Sequence, residues 1–320
     1  MLDPTALYRF EDDVDPSTSG ASVLVAALGG FVDAGHTQGL LTAHLLANHP
    51  ATRVATFDLD QLVDYRGRRP AMTLDRDRWT AYQAPELVLH RVTDRAGTPF
   101  LMLAGPEPDY QWERVVAAVE GLVDRLGVTV TVSVHGIPMA VPHTRPLGST
   151  AHATTSRLIG EVEPVFGEVQ VPGSLTGLLE LRLGEAGKDA MGYAVHVPHY
   201  LAQAEYPDAA LTALDALAGA TGLDLSRDEL AEAAVATRGQ IAAEIEQNGE
   251  VRTLVQALET QYDAFLEGRT RPSLLGSMTE VPSAEEIGAD VEAFLRDVAA
   301  DPEPEQRDSG ADPDDRRDTP

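Results

Sequence analysis

Residues 22–48 read SVLVAALGGFVDAGHTQGLLTAHLLAN, and this stretch decides the fold class. SVLVAAL (22–28) is an unbroken apolar run of the length of a buried strand. GGFVDAG interrupts it, and HTQGLLTAHLLAN then sets Leu41, Leu45 and Leu46 at helical spacing. A strand, a glycine turn and a helix in that order open a β-α-β unit, because parallel neighbours need a crossover to join them.

The same alternation continues outward. RVATFDLD (53–60) reads as the next strand, and PFLMLAG (99–105) as a further buried one. ELVLHRV (86–92), with its short connection to the strand at Pro99, reads as an antiparallel member. Trp112, Val115, Val116, Val119, Leu122, Val123 and Leu126 recur every three or four residues, with Asp109 placed to cap that helix and Gly127 to stop it. VTVTVSV (128–134), a helix in GSLTGLLELRLGEAG and a strand in AMGYAVHV (190–197) complete the series. The pattern predicts an α/β sandwich with a largely parallel sheet over 21–205, after an N-terminal lead at 1–20.

From Tyr206 the character is helical. Pro207 starts one helix, Ser226 and Glu229 are spaced as a capping box for the next, and Asn248 with Gly249 ends it. Val251, Leu254, Val255, Leu258, Tyr262 and Phe265 line a further helix. The two long helices are expected as a hairpin in a C-terminal region, 206–270, packed on the α/β body. A linker and short helix over 271–300, with a capping box at Ser283 and Glu286, and a disordered acidic tail over 301–320 are expected to follow.

Composition narrows function. With 51 acidic against 24 basic residues the formal charge is -27, which argues against nucleic acid or an anionic membrane as partner. The absence of cysteine removes thiol catalysis, disulfides and thiolate-bound zinc. Lys188, the only lysine, lies in EAGKDAMG, which has the wrong spacing for a phosphate-binding P-loop. No secretory signal or membrane-length apolar run is read, so the expected location is cytoplasmic. No cofactor is implied.

Candidate site residues gather where strands end. Between Val134 and Ala153 the chain reads VHGIPMAVPHTRPLGSTAHA, whose prolines and glycines suggest a polar loop after a buried strand, the usual place for a ligand in an open α/β sheet. His135, His143, Arg145 and His152 stand in it. Gly29, Gly30 and Asp33 follow the first strand, where Asp33 either caps the helix or lines a small-anion pocket. Arg145 suits a carboxylate partner across a subunit contact or an anion, and the histidines suit loop carbonyls or a metal. His196 and His199 end another strand. Asp58 and Asp60 are read as solvated strand-end carboxylates or an acid and base pair. The arginine-rich runs DYRGRRP and LDRDRW are read as a salt-linked surface loop. No serine has the GxSxG setting of an α/β hydrolase; Ser174 has Pro172 two residues before it.

Seven segments in order carry a resemblance: LGGFVDAG (28–35), ATFDLDQLVDYRGRRP (55–70), LAGPEPDYQWE (103–113), HGIPMAVPHTRP (135–146), VPGSLTGLLELRL (171–183), HVPHYLAQAEYP (196–207) and LETQYD (258–263). Together they resemble the proteasome assembly chaperone two family in its actinobacterial form, from about residue 8 to 266. The resemblance implies a three-layer α/β/α sandwich of the phosphorylase and hydrolase type with appended C-terminal helices, a homotrimer and a protein client, and it brings no catalytic residue set. The expected function is that of a non-catalytic oligomeric binding or assembly factor. The alternative is a phosphorylase-like or hydrolase-like enzyme, or a sensor, taking a small anionic or nucleoside-type ligand in a pocket of Gly29, Gly30, Asp33, His135, His143, Arg145 and His196.

Overall fold

The structure, a computed structural model, describes residues 2–160 and 168–270, with side chains as far as 267. The helix expected after Ser283 and the acidic tail lie outside these residues.

In chain order the elements are β1 (Tyr8–Phe10), β2 (Val23–Gly29), α1 (Thr37–Asn48), β3 (Ala51–Phe57), β4 (Met72–Asp75), β5 (Arg78–Tyr82), β6 (Val88–Thr93), β7 (Pro99–Pro106), α2 (Trp112–Arg125), β8 (Val130–Met139), β9 (Ser149–Ala153), α3 (Leu175–Glu185), β10 (Asp189–Pro198), α4 (Pro207–Thr221), α5 (Asp228–Gln247) and α6 (Gly249–Thr270). Eight strands form one sheet in the order β1-β3-β6-β7-β2-β8-β10-β9. Its centre, β7-β2-β8-β10, is parallel. Every pairing outside that centre is antiparallel, so the sheet is mixed where a largely parallel one is expected. The antiparallel position of β6 is the one its short connection to β7 requires.

β2 is apolar throughout because both of its faces are covered. Leu24, Ala26 and Leu28 enter a core with Val115, Val119 and Leu122 of α2 and Leu175, Leu179 and Leu183 of α3. Val23, Val25 and Ala27 enter the opposite core with Leu41 and Leu45 of α1 and Ala210, Leu214 and Leu217 of α4. Two helical layers around one sheet make the α/β/α sandwich. α5 adds Leu230 and Ile241 to the α4 side, and α5 takes α4 as its packing neighbour. The ties of α6 run instead to the loop after β8, where a hairpin of α5 with α6 is expected.

Several local expectations are corrected. The stretch 134–153 is mostly strand: β8 continues through Pro138 to Met139, pairing with β10 along its length, and β9 begins at Ser149. Proline and glycine are tolerated there because neighbouring backbone supplies the pairing and fills the space. A side chain on Gly136 would begin 2.1 Å from the Ala34 carbonyl oxygen and 2.4 Å from Thr37 Oγ1, so only glycine lets the turn before α1 lie against β8. Asp109 does not cap α2. That helix follows Gln111, whose backbone is left-handed, while the Asp109 carboxylate accepts from the Asp64 N–H at 2.7 Å and pairs with Arg68 at 2.7 Å. Ser226 and Glu229 do not form a capping box, because α5 begins only at Asp228. The second arginine-rich run, LDRDRW, is no loop but part of the β4-β5 hairpin.

Candidate functional site

The carboxyl ends of β2, β7, β8 and β10 meet at one end of the sheet, and the candidate residues are distributed among them. Gly29 closes β2 opposite Pro106. Gly30 lies against the Glu107 carboxylate, which is buried and accepts from the Leu175 N–H at 2.6 Å, the first residue of α3. Asp33 accepts from the backbone N–H groups of Gln38 at 2.8 Å and Gly39 at 3.1 Å, with Gly136 N at 3.4 Å. Its carboxylate thus holds the first turn of α1 and ties it to β8, where the exposed N–H groups and helix dipole favour a negative charge.

Alternation along β8 sets Thr131, Ser133 and His135 on the face opposite Val132 and Val134, whose side chains fill the α1-α4 core. On that face Gly192 of β10 sits level with Ser133 on one side and His152 of β9 on the other. A Cβ on Gly192 would begin 2.6 Å from Ser133 Oγ and 2.7 Å from His152 Nε2, so glycine makes room for both groups over one strand. His152 Nδ1 meets both oxygens of Glu180 on α3, at 2.9 and 3.0 Å. The His135 ring stands 6.5 Å from that of His152. Burial lowers the His135 pKa, His152 lowers it further, and Asp33 opposes them. The imidazole is held neutral. A carboxylate-held imidazole near a hydroxyl suits proton transfer, but no hydrogen bond joins Ser133 to the ring, and Ser133 lies within a strand.

The remaining residues point elsewhere. His143 Nδ1 and the Tyr200 hydroxyl are 2.7 Å apart, and the same hydroxyl accepts from the His143 backbone N–H; burial lowers the histidine pKa and raises that of the tyrosine. Arg145 reaches α6, donating to Asp263 at 2.9 and 2.7 Å and to Glu259 at 3.3 Å. Thr144 donates to Glu259, and the Tyr262 hydroxyl to the Pro146 carbonyl at 2.9 Å. The loop is thereby strapped to α6 within the same chain. His196, lowered in pKa by burial, bonds through Nε2 with Thr150 Oγ1 at 2.8 Å. Asp58 and Asp60 lie beyond the end of β3: Asp58 accepts from Gln61 and the Asp60 N–H, and Asp60 accepts from Tyr65.

The seven candidate residues therefore divide into separate contacts: Gly29 and Gly30 beside Glu107, Asp33 on α1, His135 with His152, His143 with Tyr200, Arg145 with α6, and His196 with β9. Among the described residues no three metal-binding side chains come together, and no helix is long and apolar enough to cross a membrane.

A model of the PAC2 family matches residues 27–245, two thirds of the chain. The chain belongs to the PAC2 family. Its fold is shared by solved structures: a protein of unknown function from Mycobacterium tuberculosis is 45% identical, with a TM-score of 0.78 over 82% of this chain and 90% of that one. A protein of unknown function from Corynebacterium glutamicum is 39% identical, with a TM-score of 0.77 over 83% and 99%. A proteasome-assembly chaperone homologue from M. tuberculosis, at 24% identity and a TM-score of 0.65 over 73% and 99%, shares the fold. No curated protein matches the sequence.

In this PAC2 protein one open surface is a feature the sequence did not single out. Every residue of β4 and β5 is exposed. Met72 pairs with Tyr82 and Leu74 with Trp79, a register shift before Leu74 bringing the second pair onto the face of the first. Trp79 is 63% exposed and the other three are just over half exposed. The available signal was the alternation of Met72 and Leu74 with the WTAY run (79–82) after Arg78, which the surrounding charges outweighed.

Proposed function

We propose that this PAC2 protein is a non-catalytic, self-associating assembly factor acting in the cytoplasm on a macromolecular client of the proteasome type. The β4-β5 hairpin carries the proposal. Four large apolar side chains on one face of a ribbon exposed along its whole length have a high cost in water, and a contiguous patch of that kind marks a binding surface. Trp and Tyr are the residues that dominate such contacts. From Asp64 to Tyr82 the chain holds five arginines against three aspartates, within a protein of net charge -27, so a second copy of the same acidic chain is the complementary surface. A closed ring satisfies each hairpin once, and three copies are proposed from the family resemblance.

The client is supported by a relative: one protein sharing this fold is a proteasome-assembly chaperone homologue. The separate engagement of the candidate side chains supports a binding role, with any ligand pocket at Gly29, Gly30, Asp33, His135, His143, Arg145 and His196 a recognition site and no seat of turnover.

Two measurements test this. Light scattering on purified protein is expected to give three chains per particle, and Leu74→Ser with Trp79→Ser to give monomers; a wild-type monomer, or an unchanged trimer in the variant, removes the hairpin from the proposal. Addition of the trimer to separated proteasome α and β subunits of the same organism is expected to speed appearance of the core particle, and an unchanged rate overturns the client assignment.

A further inference from the structure

The backbone just before α5 is held by two histidines that the strand-end site does not use. His44 and His49 both come from the end of α1, and both are almost wholly buried. His44 Nε2 lies 2.6 Å from the Ser226 carbonyl oxygen, and its Nδ1 faces the Asn48 amide at 3.1 Å. A carbonyl accepts only, so His44 Nε2 carries the proton there. His49 does the reverse: the Ser226 N–H donates to His49 Nε2 at 3.2 Å. One peptide unit is thus read by a donor imidazole and an acceptor imidazole.

The acceptor role has a chemical condition. An imidazole nitrogen accepts only while unprotonated, so the bond to Ser226 exists only in neutral His49. Protonation places a second N–H against the Ser226 N–H in a site closed to water, and the contact becomes repulsive. The groups facing His49 are the His44 imidazole from α1, the Thr93 backbone and the Asp94 carboxylate from the turn after β6, and the Arg95 guanidinium beside it. Burial is the largest influence and lowers the His49 pKa; His44 and Arg95 act the same way, and Thr93 and Asp94 oppose them. Asp94 is itself occupied, accepting from Asp224 N at 2.9 Å and Thr98 N at 2.7 Å. Glu229 on α5 is held by Asn48 at 2.9 Å.

We propose that His49 is an acid-released latch: neutral, it fastens the Asp224–Ser226 backbone and hence the start of α5 to the α/β body, and protonated, it lets that segment go. Other anchors stay in place: the His44 bond to the Ser226 carbonyl, the Asp94 bond to the Asp224 N–H, Asn48 on Glu229, the Arg95 N–H on the Asp224 carbonyl, and Leu223, Leu225, Leu230 and Ile241 in the α4-side core. Release is therefore partial and local: it loosens the entry to α5 and lowers protection over 222–247 while the sheet stays intact. Its sign follows from the lowered pKa: the latch is closed above the ordinary histidine value of 6.5 and opens as pH falls through the lower value of the folded protein.

Hydrogen exchange by mass spectrometry between pH 8 and pH 5, corrected for intrinsic rates, tests the latch on the full chain. Residues 222–247 are expected to lose protection in acid while peptides from β2 and β7 keep it. His49→Gln presents an amide oxygen in place of Nε2 and cannot titrate, so it is expected to show equal protection at both pH values. Persistence of the acid loss in that variant assigns it to another imidazole, such as His143 beneath α6, and overturns the proposal, as does unchanged wild-type protection. Should His49→Gln fail to fold, nitrogen NMR of the wild-type imidazoles decides: the protonation midpoint of His49 and the midpoint of lost protection must coincide, and a separation between them rejects the latch.

Discussion

Two segments leave the same end of the sheet on strands that run the same way, and they use their residues in opposite manners. The turn after β2 directs its polar groups inward. Asp33 holds α1 and approaches β8, and Gly30 lies against Glu107. The hairpin after β3 directs its apolar groups outward, with Met72, Leu74, Trp79 and Tyr82 in solvent. The polar groups of the turn that has the look of a ligand site serve the fold, although Phe31 beside them is 80% exposed, whereas the charged run that has the look of a plain surface loop carries a ribbon exposed along its whole length. Polar residues at strand ends are informative about function only when their hydrogen bonds are not already made at home.

That contrast is most severely tested at Gly136. Gly136→Ala forces a methyl onto the Ala34 carbonyl, a backbone atom that cannot rotate away, and a loss of about 3 kcal/mol or more in urea unfolding is expected. A near-neutral result would show that the turn after β2 is slack, and the contrast would fail. Acid comes next. His49, His90, His135, His143 and His196 all have pKa values lowered chiefly by burial from the ordinary 6.5. Stability is therefore complete above that value and declines as pH falls through the folded values, so the urea midpoint should be lower at pH 5 than at pH 8. An equal midpoint would mean that these rings are hydrated in solution. Asp33→Ala should cost about 0.5–2 kcal/mol, the range for a lost helix cap, with Asp33→Asn recovering part of it. Smallest is the hairpin: Leu74→Ser with Trp79→Ser should change the stability of the isolated chain by no more than about 0.5 kcal/mol, as for exposed positions generally. A large loss there would place the hairpin in the core and erase the distinction.

Much of the fold is legible because the covered strands are long apolar runs. SVLVAAL and PFLMLAG are buried on both faces, and Trp112 to Leu126 repeats with helical period. The short connection before Pro99 was enough to make β6 antiparallel. Strand β1 leaves no signal in the sequence because three residues carry no period, and they join the sheet only through β3. The extension of β8 through Gly136 and Pro138 was hidden because local propensity disfavours both residues, and the partner strand β10 overrides it. At the candidate site the chemistry of each residue could be read, but not its partner. Arg145 called for a carboxylate, and the ones it found stand more than a hundred positions later on α6.

By itself the sequence determined the layers of this protein, since hydrophobic period and glycine turns act over a few residues and need no knowledge of what lies across the core. The tertiary structure alone decided which polar groups are engaged. Whether Asp33 caps a helix or His49 latches a peptide depends on which backbone arrives within 3 Å or so, a distance set by packing between distant segments. The outward face of β4 and β5 was decided the same way, since the packing of the described residues leaves both strands exposed along their whole length.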